Sequence, residues 1–414
     1  MAKRICIIGA GAAGLMAAKY ALDGGADVTV LEKNEKAGKK IYITGKGRCN
    51  VTNACDRDEL MKNLVRNPRF LYASLSTLDN AGIMDLFESL GVKLKVERGQ
   101  RVFPESDHAS DITYALENHI RRKGAKIYYN TAVTGLVIED GIVKGVTTEK
   151  GTMRFDAVIL ATGGMSYPST GSTGEGHAFM KAAGHSVSPC RPALTPVETE
   201  ETWPADLMGL TLKNVTLTAW TVKNGKKKKL YSELGEMLFT HFGVSGPLVL
   251  TLSSLLPEDY RGTELTIDLK PALDEQTLDS RLLREFAAMP NKQLISVMDT
   301  LEPHALGEKV CVLADVAPYK SVNSVTAAER KALVTMLKGI PLTVKSLRGM
   351  NEAIITRGGI NVKEIDPSTM ESKLVRNLYA AGELIDVDAL TGGFNMTIAF
   401  STGALAGKSA AEAE

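Results

Sequence analysis

Apolar and polar positions change period several times along this chain, and the changes delimit its elements. Residues 4–8 form a short apolar run, residues 9–14 are glycine-rich, and residues 15–22 carry apolar side chains at helical spacing before a second apolar run at 28–31. Strand, glycine turn, helix and strand within about thirty residues make a β-α-β unit, the building block of a parallel, doubly wound sheet. The stretch 67–90 reads as helical, and 111–123 reads as another helix with Asp111 placed to cap it. Runs at 126–129, 133–139, 142–147 and 154–160 then read as strands, the middle two joined by a hairpin turn at Asp140-Gly141.

The texture changes near residue 191, where Pro192, Pro196 and Pro204 precede an alternating, β-type pattern over 212–222. Asn224-Gly225 marks a hairpin turn there, and helical patterns follow at 278–298 and 327–338. Residues 377–383 again read as a strand entering a glycine turn. The pattern therefore predicts an α/β fold. A Rossmann-type domain with a parallel sheet is assembled from 1–190 and 346–414, and a β-plus-helix domain is inserted at 191–345.

Composition narrows the class. With 414 residues, of which 44% are hydrophobic, the chain can bury a substantial core. Forty-nine basic against forty-eight acidic residues leave a formal charge of +1, so no global field steers it to nucleic acid or membrane. The local exception is the lysine run 226–229 beside the predicted turn, read as a solvated hairpin tip or, alternatively, as a contact for an RNA phosphate backbone. No apolar run approaches the roughly 18 residues that span a bilayer, and the start lacks the pattern of a secretory signal. A cytoplasmic location and no membrane partner are expected. Cys6, Cys49, Cys55, Cys190 and Cys311 are scattered and form no C-x-x-C pair, and the six histidines show no ligand spacing. Neither a disulfide framework nor a metal site is expected.

The glycine run carries the clearest chemistry. Gly9, Gly11 and Gly14 satisfy G-x-G-x-x-G directly after a strand and at a helix start, where backbone can approach a pyrophosphate and helix N–H groups can hold it. Glu32, twenty-three residues after Gly9 at the end of the second strand, can accept hydrogen bonds from ribose hydroxyls. This unit alone leaves NAD and FAD open. Two further glycine turns at strand ends, Ala161-Thr162-Gly163-Gly164 and Ala381-Gly382-Glu383, fit a longer ligand better than a nicotinamide dinucleotide.

Taken in order, residues 9–14, Glu32, 38–41 (Gly-Lys-Lys-Ile), 44–50 (Thr-Gly-Lys-Gly-Arg-Cys-Asn), 161–164, 171–174 (Gly-Ser-Thr-Gly), 239–247 (Phe-Thr-His-Phe-Gly-Val-Ser-Gly-Pro), 357–360 (Arg-Gly-Gly-Ile) and 391–395 (Thr-Gly-Gly-Phe-Asn) resemble the BaiN-like flavoproteins. This 3-dehydro-bile-acid Δ4,6-reductase-like family sits within the fumarate-reductase-type FAD superfamily. The resemblance runs over essentially the whole chain. It implies FAD as cofactor, and a β-barrel-like and helical insertion in the second half. By matching motifs it implies that Glu32 holds the adenosine ribose, that Gly9, Gly11, Ala12, Ala13 and Gly14 hold the pyrophosphate, and that Glu383 holds the ribityl chain. Further cofactor contacts are implied at Lys33, Lys40, Thr44, Gly45, Gly47, Arg48, Cys49, Asn50, Ala161, Thr162, Gly163, Gly382, Gly392, Gly393, Phe394, Asn395 and Met396.

Three residues are candidates for the chemistry itself. Cys49 is the first, as proton donor or flavin-face thiol, with Arg48 able to depress its pKa or bind an anionic substrate; the alternative is a packing residue beside an ion-pair partner. His241 is the third, as acid, base or substrate anchor, against the alternative of a structural histidine. A helix over 397–407, opened by Gly392 and Gly393, would direct its N-terminus at the flavin N1 and C2 carbonyl, or would merely pack on the sheet. The expected activity is hydride transfer from flavin N5 to an activated C=C bond of an enone or steroid-like small molecule. NAD(P)H is the expected transient donor, since no second G-x-G-x-x-G is visible. A ribosomal RNA dihydrouridine synthase, a non-catalytic flavin-binding assembly protein and a simple NAD dehydrogenase are the competing readings. Oligomeric state is left open.

Overall fold

The computed structural model describes residues 2–223 and 226–413, which divide into two compact units, one of Met1–Ala193 with Gly349–Glu414 and one of Leu194–Arg348. In the first unit, β1 (Arg4–Ile8), α1 (Ala12–Asp23), β2 (Asp27–Leu31), β3 (Lys126–Tyr128), β4 (Ala157–Leu160), β5 (Leu378–Ala380) and α2 (Phe394–Glu412) form the Rossmann-type core. Among the described residues its parallel sheet has the order β5-β4-β1-β2-β3, so a strand from the C-terminal segment pairs beside β4. Every residue of β4 is buried, as a strand covered on both faces requires. A three-stranded antiparallel sheet over 133–154 turns at Asp140 and Gly141, both at positive φ, as a tight primed turn demands.

Close approach of two helices ties the chain ends together. An added Cβ would lie 2.3 Å from the Ala13 carbonyl oxygen at Gly403, and 2.1 Å from the Ala17 carbonyl oxygen at Gly407. Glycine is therefore the residue that lets α2 lie against α1, and the register, 13 beside 403 and 17 beside 407, makes the two helices parallel. Met16, Ala17 and Phe400 are fully buried in the same core cluster.

The second unit is built around a barrel, closed among the described residues in the order Val197–Thr199, Gly243–Ser245, Lys226–Thr240, Thr211–Lys223, Glu264–Asp268 and Ile340–Leu347. Phe239, Leu217, Leu265 and Val344 are fully buried in its core, and helices Glu275–Ala288, His304–Leu313 and Ala327–Lys338 add Leu282, Val310 and Leu333 to the same cluster. Thr326 and Glu329 close a capping box at the last helix. The fold class is the one the sequence predicts, an α/β Rossmann-type domain carrying a barrel-and-helix insertion.

Several boundaries differ from the pattern. The stretch 67–90 is broken into Tyr72–Thr77 and Asn80–Ser89, because Asp79 turns its side chain to accept from the Gly82 N–H and starts a new helix. The next helix is Ala109–Arg122; Asp111 lies inside its first turn, where it accepts from the Ser106 hydroxyl, and is not the cap. The run 154–160 divides at Asp156, whose carboxylate takes the Arg4 N–H and guanidinium and so anchors the entry to β1. The stretch 278–298 is interrupted after Ala288 by Pro290, which cannot continue a helix, and resumes at Leu294–Met298. The C-terminal helix is longer at both ends than 397–407. The predicted turn Asn224-Gly225 lies outside the described residues.

Gly407→Ala tests the helix contact. Alanine would favour an exposed helix by about 1 kcal/mol, whereas here it should cost about 1–3 kcal/mol in urea unfolding by forcing α1 and α2 apart. Gly349→Ala, which meets no atom within 4 Å, should stay within about 0.5 kcal/mol of the parent.

Candidate functional site: a glycine-lined cradle between two helix starts

The three fingerprint glycines are there for different reasons. Gly9 has φ +101°, donates its N–H to the Leu31 carbonyl, and sits so close to β4 that a Cβ would lie 2.6 Å from the Ala161 oxygen. At Gly14 a Cβ would lie 1.9 Å from the Gly9 oxygen, so this glycine closes the strand-to-helix turn. Gly11 meets nothing within 4 Å. Its bareness serves no contact within the protein and leaves the start of α1 open to a ligand. That start has no side-chain cap and no acidic residue in the first turn, so the positive end of the helix is of the kind that favours an anion.

Glu32 directly follows β2 and is 7% exposed. Its carboxylate accepts from the Ala10 N–H at 2.8 Å and from the Asn34 N–H and side-chain amide at 2.8 and 2.7 Å. It thereby locks the glycine turn to the strand end. Lys33 donates to Thr173 and Glu175, both at 2.8 Å, and the Asn34 amide donates to the Thr170 carbonyl, which draws the 170–175 segment over the same strand end.

Glu383 is the hub of a second cluster. Its carboxylate accepts from the Lys40 ammonium at 2.6 Å, the Ser166 hydroxyl at 2.8 Å and the Thr356 N–H at 2.6 Å. Burial by itself would raise its pKa, but Lys40 and these donors overcome burial and hold the carboxyl below its ordinary value. The Thr356 hydroxyl in turn accepts from the N–H groups of Met165 and Ser166. Gly382 donates to the Thr402 hydroxyl, and Gly163 takes φ +73° beside Ser172. The Thr162 hydroxyl and the Asn50 side-chain oxygen are buried with no partner among the described residues, which is how groups awaiting a polar ligand look.

The third cluster is the start of α2. Gly392 and Gly393 both have positive φ, and a Cβ on Gly393 would lie 2.3 Å from the Thr52 oxygen. Asn53 fixes the turn by donating to the Gly392 carbonyl. Asn395 spends its side chain on the backbone of Ala389 and Leu390. Like α1, α2 opens with no side-chain cap and no acidic residue in its first turn, here leaving Phe394 and Met396 at the helix start. From the register of the pair, α2 begins eight residues before the point level with Ala12, a stagger of about 12 Å at 1.5 Å per residue.

The 44–50 loop is held in an unusual shape, with Gly45, Lys46, Gly47 and Cys49 all at positive φ, and the Thr44 hydroxyl donating to the Ile41 carbonyl. Cys49 is fully buried and burial pushes its thiol up to about 12. The expectation that Arg48 depresses this pKa is overturned. The Arg48 guanidinium is turned to Glu97 at 2.7 Å and Asp107 at 3.2 Å and lies over the Phe103 ring, so its charge is neutralised elsewhere.

Sequence reasoning missed a charged group beside this cradle. Arg66 makes two bonds to Asp386, at 2.8 and 2.7 Å. Asp388, 2% exposed, pairs across strands with Arg66, and neither of its carboxylate oxygens has a hydrogen-bond partner among the described residues. The signal was two aspartates at alternate positions in the apolar stretch 384–390. Cys190 and His177 form a further pair: the imidazole Nε2–H donates to the Leu384 carbonyl, and Nδ1 faces the Cys190 thiol at 3.8 Å.

The remaining candidates lie in the barrel unit. His241 is exposed at the turn after Lys226–Thr240, edge-on to Phe242. Lys226, Lys228 and Lys229 are exposed, while Lys227 pairs with Glu264. Among the described residues no helix is long and apolar enough to cross a membrane.

Known proteins are similar to this chain in sequence or in fold. A 3-dehydro-bile acid delta(4,6)-reductase of Clostridium scindens is 32% identical over 421 aligned positions, covering 99% of each chain. A ribosomal RNA dihydrouridine synthase of Haemophilus influenzae is 31% identical over 403 positions, 96% of this chain and 95% of that one. Among solved structures, a 3-ketosteroid delta1-dehydrogenase of Sterolibacterium denitrificans superposes over 99% of both chains with a TM-score of 0.53 at 13% identity. A 3-ketosteroid-delta4-(5alpha)-dehydrogenase of Rhodococcus jostii does so over 99% of this chain and 97% of that one, with a TM-score of 0.51 at 16% identity. Those two share the fold. The model of the HI0933-like protein Rossmann domain matches residues 3–409, and the chain belongs to the HI0933-like family.

Proposed function

We propose that the chain is an FAD-dependent oxidoreductase that reduces an activated C=C bond. The observation that carries the reading is the pair of parallel, uncapped helix starts at Gly11 and Gly393, staggered by about 12 Å along their axes. A single phosphate needs one such end. Two ends at this spacing suit an extended ligand with a pyrophosphate at one point and a second site of negative charge well beyond it, as in reduced FAD. The unpartnered Thr162 and Asn50 oxygens and the open space at Gly11 fit the same ligand.

When bound, the flavin supplies hydride chemistry. The protein's own residues do the rest. Gly9, Gly11, Ala12, Ala13 and Gly14 receive the pyrophosphate, and Glu32, itself braced by Ala10 and Asn34, takes the adenosine ribose. The 382–383 turn, stiffened by Lys40, Ser166 and Thr356, stands along the ribityl chain. The start of α2 would lie toward the ring, where its dipole would favour negative charge. Residues 44–50 would hold the ring edge, with Cys49 a neutral thiol. NAD(P)H is the transient electron donor.

For the acceptor, the relative that spans nearly the whole chain at 32% identity is named for a bile-acid reductase, which favours a steroid-like enone. The exposed lysines at 226, 228 and 229 favour a second reading, reduction of uridine in ribosomal RNA, the activity for which the 31% identical relative is named.

Purified protein reduced anaerobically and mixed with steroid enones or ribosomal RNA should decide the acceptor. Rapid return of oxidised-flavin absorbance is expected with the enone, and failure of every acceptor would remove the reductase reading. Gly11→Ala should leave the thermal stability of the apoprotein unchanged, yet weaken FAD binding by tenfold or more, about 1.4 kcal/mol; equal affinity would mean the α1 start is not the pyrophosphate site. In the RNA reading, joint Lys226→Ala, Lys228→Ala and Lys229→Ala replacement should reduce the slope of log affinity against log salt by about 2, because each phosphate that a lysine neutralises adds about 0.7 to it. An unchanged slope excludes the hairpin as the RNA-binding element.

A further inference from the structure

The formal charge of +1 averages over an uneven surface. Residues 33–48 hold six basic side chains and one acidic one, a net charge of +5 within a single short segment. Part of that charge is answered locally, since Lys33 pairs with Glu175, Lys39 with Glu35 and Lys40 with Glu383. Arg48 shares Glu97 with Arg101, at 2.7 and 4.0 Å, and shares Asp107 with Lys95, at 3.2 and 2.7 Å. Three cations there meet two carboxylates. Lys36, Lys46 and Arg98 are exposed and have no ion pair among the described residues. Positive charge is therefore left over on this face after the pairs are made.

Aromatic rings are set among these cations. The Lys36 ammonium lies 4.4 Å from the centre of the Tyr42 ring, and Tyr114, 54% exposed, stands beside Tyr42. The Arg48 and Arg101 guanidiniums lie 4.1 and 5.8 Å from the centre of the Phe103 ring, and Gly45 packs on the edge of the same ring. The groups form one band, from Lys36 past Tyr42, Tyr114 and the exposed Ile43 to Lys46, Arg98 and Arg101. Its far end is tied to the cradle: the Asn53 amide donates to the Gly99 and Gly392 carbonyls, both at 3.0 Å. One side chain thus separates the turn that carries Arg98 and Arg101 from the start of α2.

Excess lysine and arginine charge releases the counterions of a phosphate backbone, and exposed rings offer stacking surface to bases that are not paired in a duplex. An anionic membrane would answer the charge, but it calls for an amphipathic helix with a broad apolar face, and the 41–47 segment that carries the band is a short turn with Ile43 as its exposed aliphatic residue. We propose that this band, with Lys36, Tyr114, Lys46, Arg98 and Arg101 as its contacts, is a docking face for single-stranded RNA beside the start of α2. It deepens the uridine-reduction reading and rests on that reading for the fate of the docked base. It places an RNA contact on the Rossmann-type unit, independent of the lysine hairpin.

Fluorescence anisotropy of the holoenzyme with a fluorescein-labelled oligouridylate of about twelve nucleotides, a length within the usual range of single-strand sites, tests the face. Combined Lys36→Ala, Lys46→Asn and Arg98→Ala should reduce the slope of log affinity against log salt by about 2; asparagine is used at 46 because it tolerates the left-handed backbone there, φ +59°. Tyr114→Ala should weaken binding about tenfold with the slope unchanged, because stacking releases no counterion. An unchanged slope in the triple variant overturns the proposal, as does tighter binding of the wild type to phosphatidylserine vesicles than to the oligonucleotide. Should the triple variant not fold, Lys36→Ala with Arg98→Ala should lower the slope by about 1.4, and no change there overturns the proposal equally. Ribosomal RNA incubated with holoenzyme and NADPH, with dihydrouridine scored by alkaline ring opening, separates docking from reaction. If the slope falls in the variants while the wild type forms no dihydrouridine, the docking face stands and the uridine-reduction reading fails. If dihydrouridine forms and the triple variant forms it with unchanged KM, the docking face fails and the reading stands.

Discussion

Everything in the nucleotide cradle depends on how closely α2 can approach α1. Backbone lies against backbone because residues 403 and 407 have no side chain, and the carbonyls of Ala13 and Ala17 occupy the space a Cβ would need. The contact joins the last helix of the chain to the first. It sets the parallel register, and the register sets the stagger between two uncapped helix starts. Were the helices one side chain further apart, the Gly382 turn, which meets Ala13 and donates to Thr402, would lose its place as well.

Around that contact the charged groups divide the labour. Glu32 and Glu383 look alike from sequence, as acidic residues after strands, yet both spend their oxygens on the protein, bracing a glycine turn in one case and joining Lys40, Ser166 and Thr356 in the other. At Glu383, Lys40 and the neighbouring donors overcome burial and hold the carboxyl below its ordinary value. Asp388 lacks such donors, and burial raises its carboxyl to about 6. Glu383 and Asp388 differ in the number of N–H and O–H groups within reach.

Arg48 and Cys49 show the converse. Adjacent in sequence, they suggested an activated thiol. Cys49 takes positive φ at the end of a loop of left-handed residues and its thiol is buried, whereas Arg48 reaches Glu97, Asp107 and the face of Phe103. Proximity along the chain did not translate into proximity of charge.

What the sequence by itself determined was local: the β-α-β unit, the glycine turn with Glu32, the parallel sheet and the interruption by a β-rich insertion, all read from periodicity and residue type over short windows. Helix breaks at Asp79 and Pro290 were visible as residues but were overridden by the apolar pattern around them. Only the tertiary structure could decide which glycine serves packing and which serves a ligand, since Gly9, Gly11 and Gly14 differ only in what stands opposite them. Likewise only the fold could single out Asp388, because the partners it lacks, and the arginines at 66 and 357 beside it, are brought together from segments hundreds of residues apart.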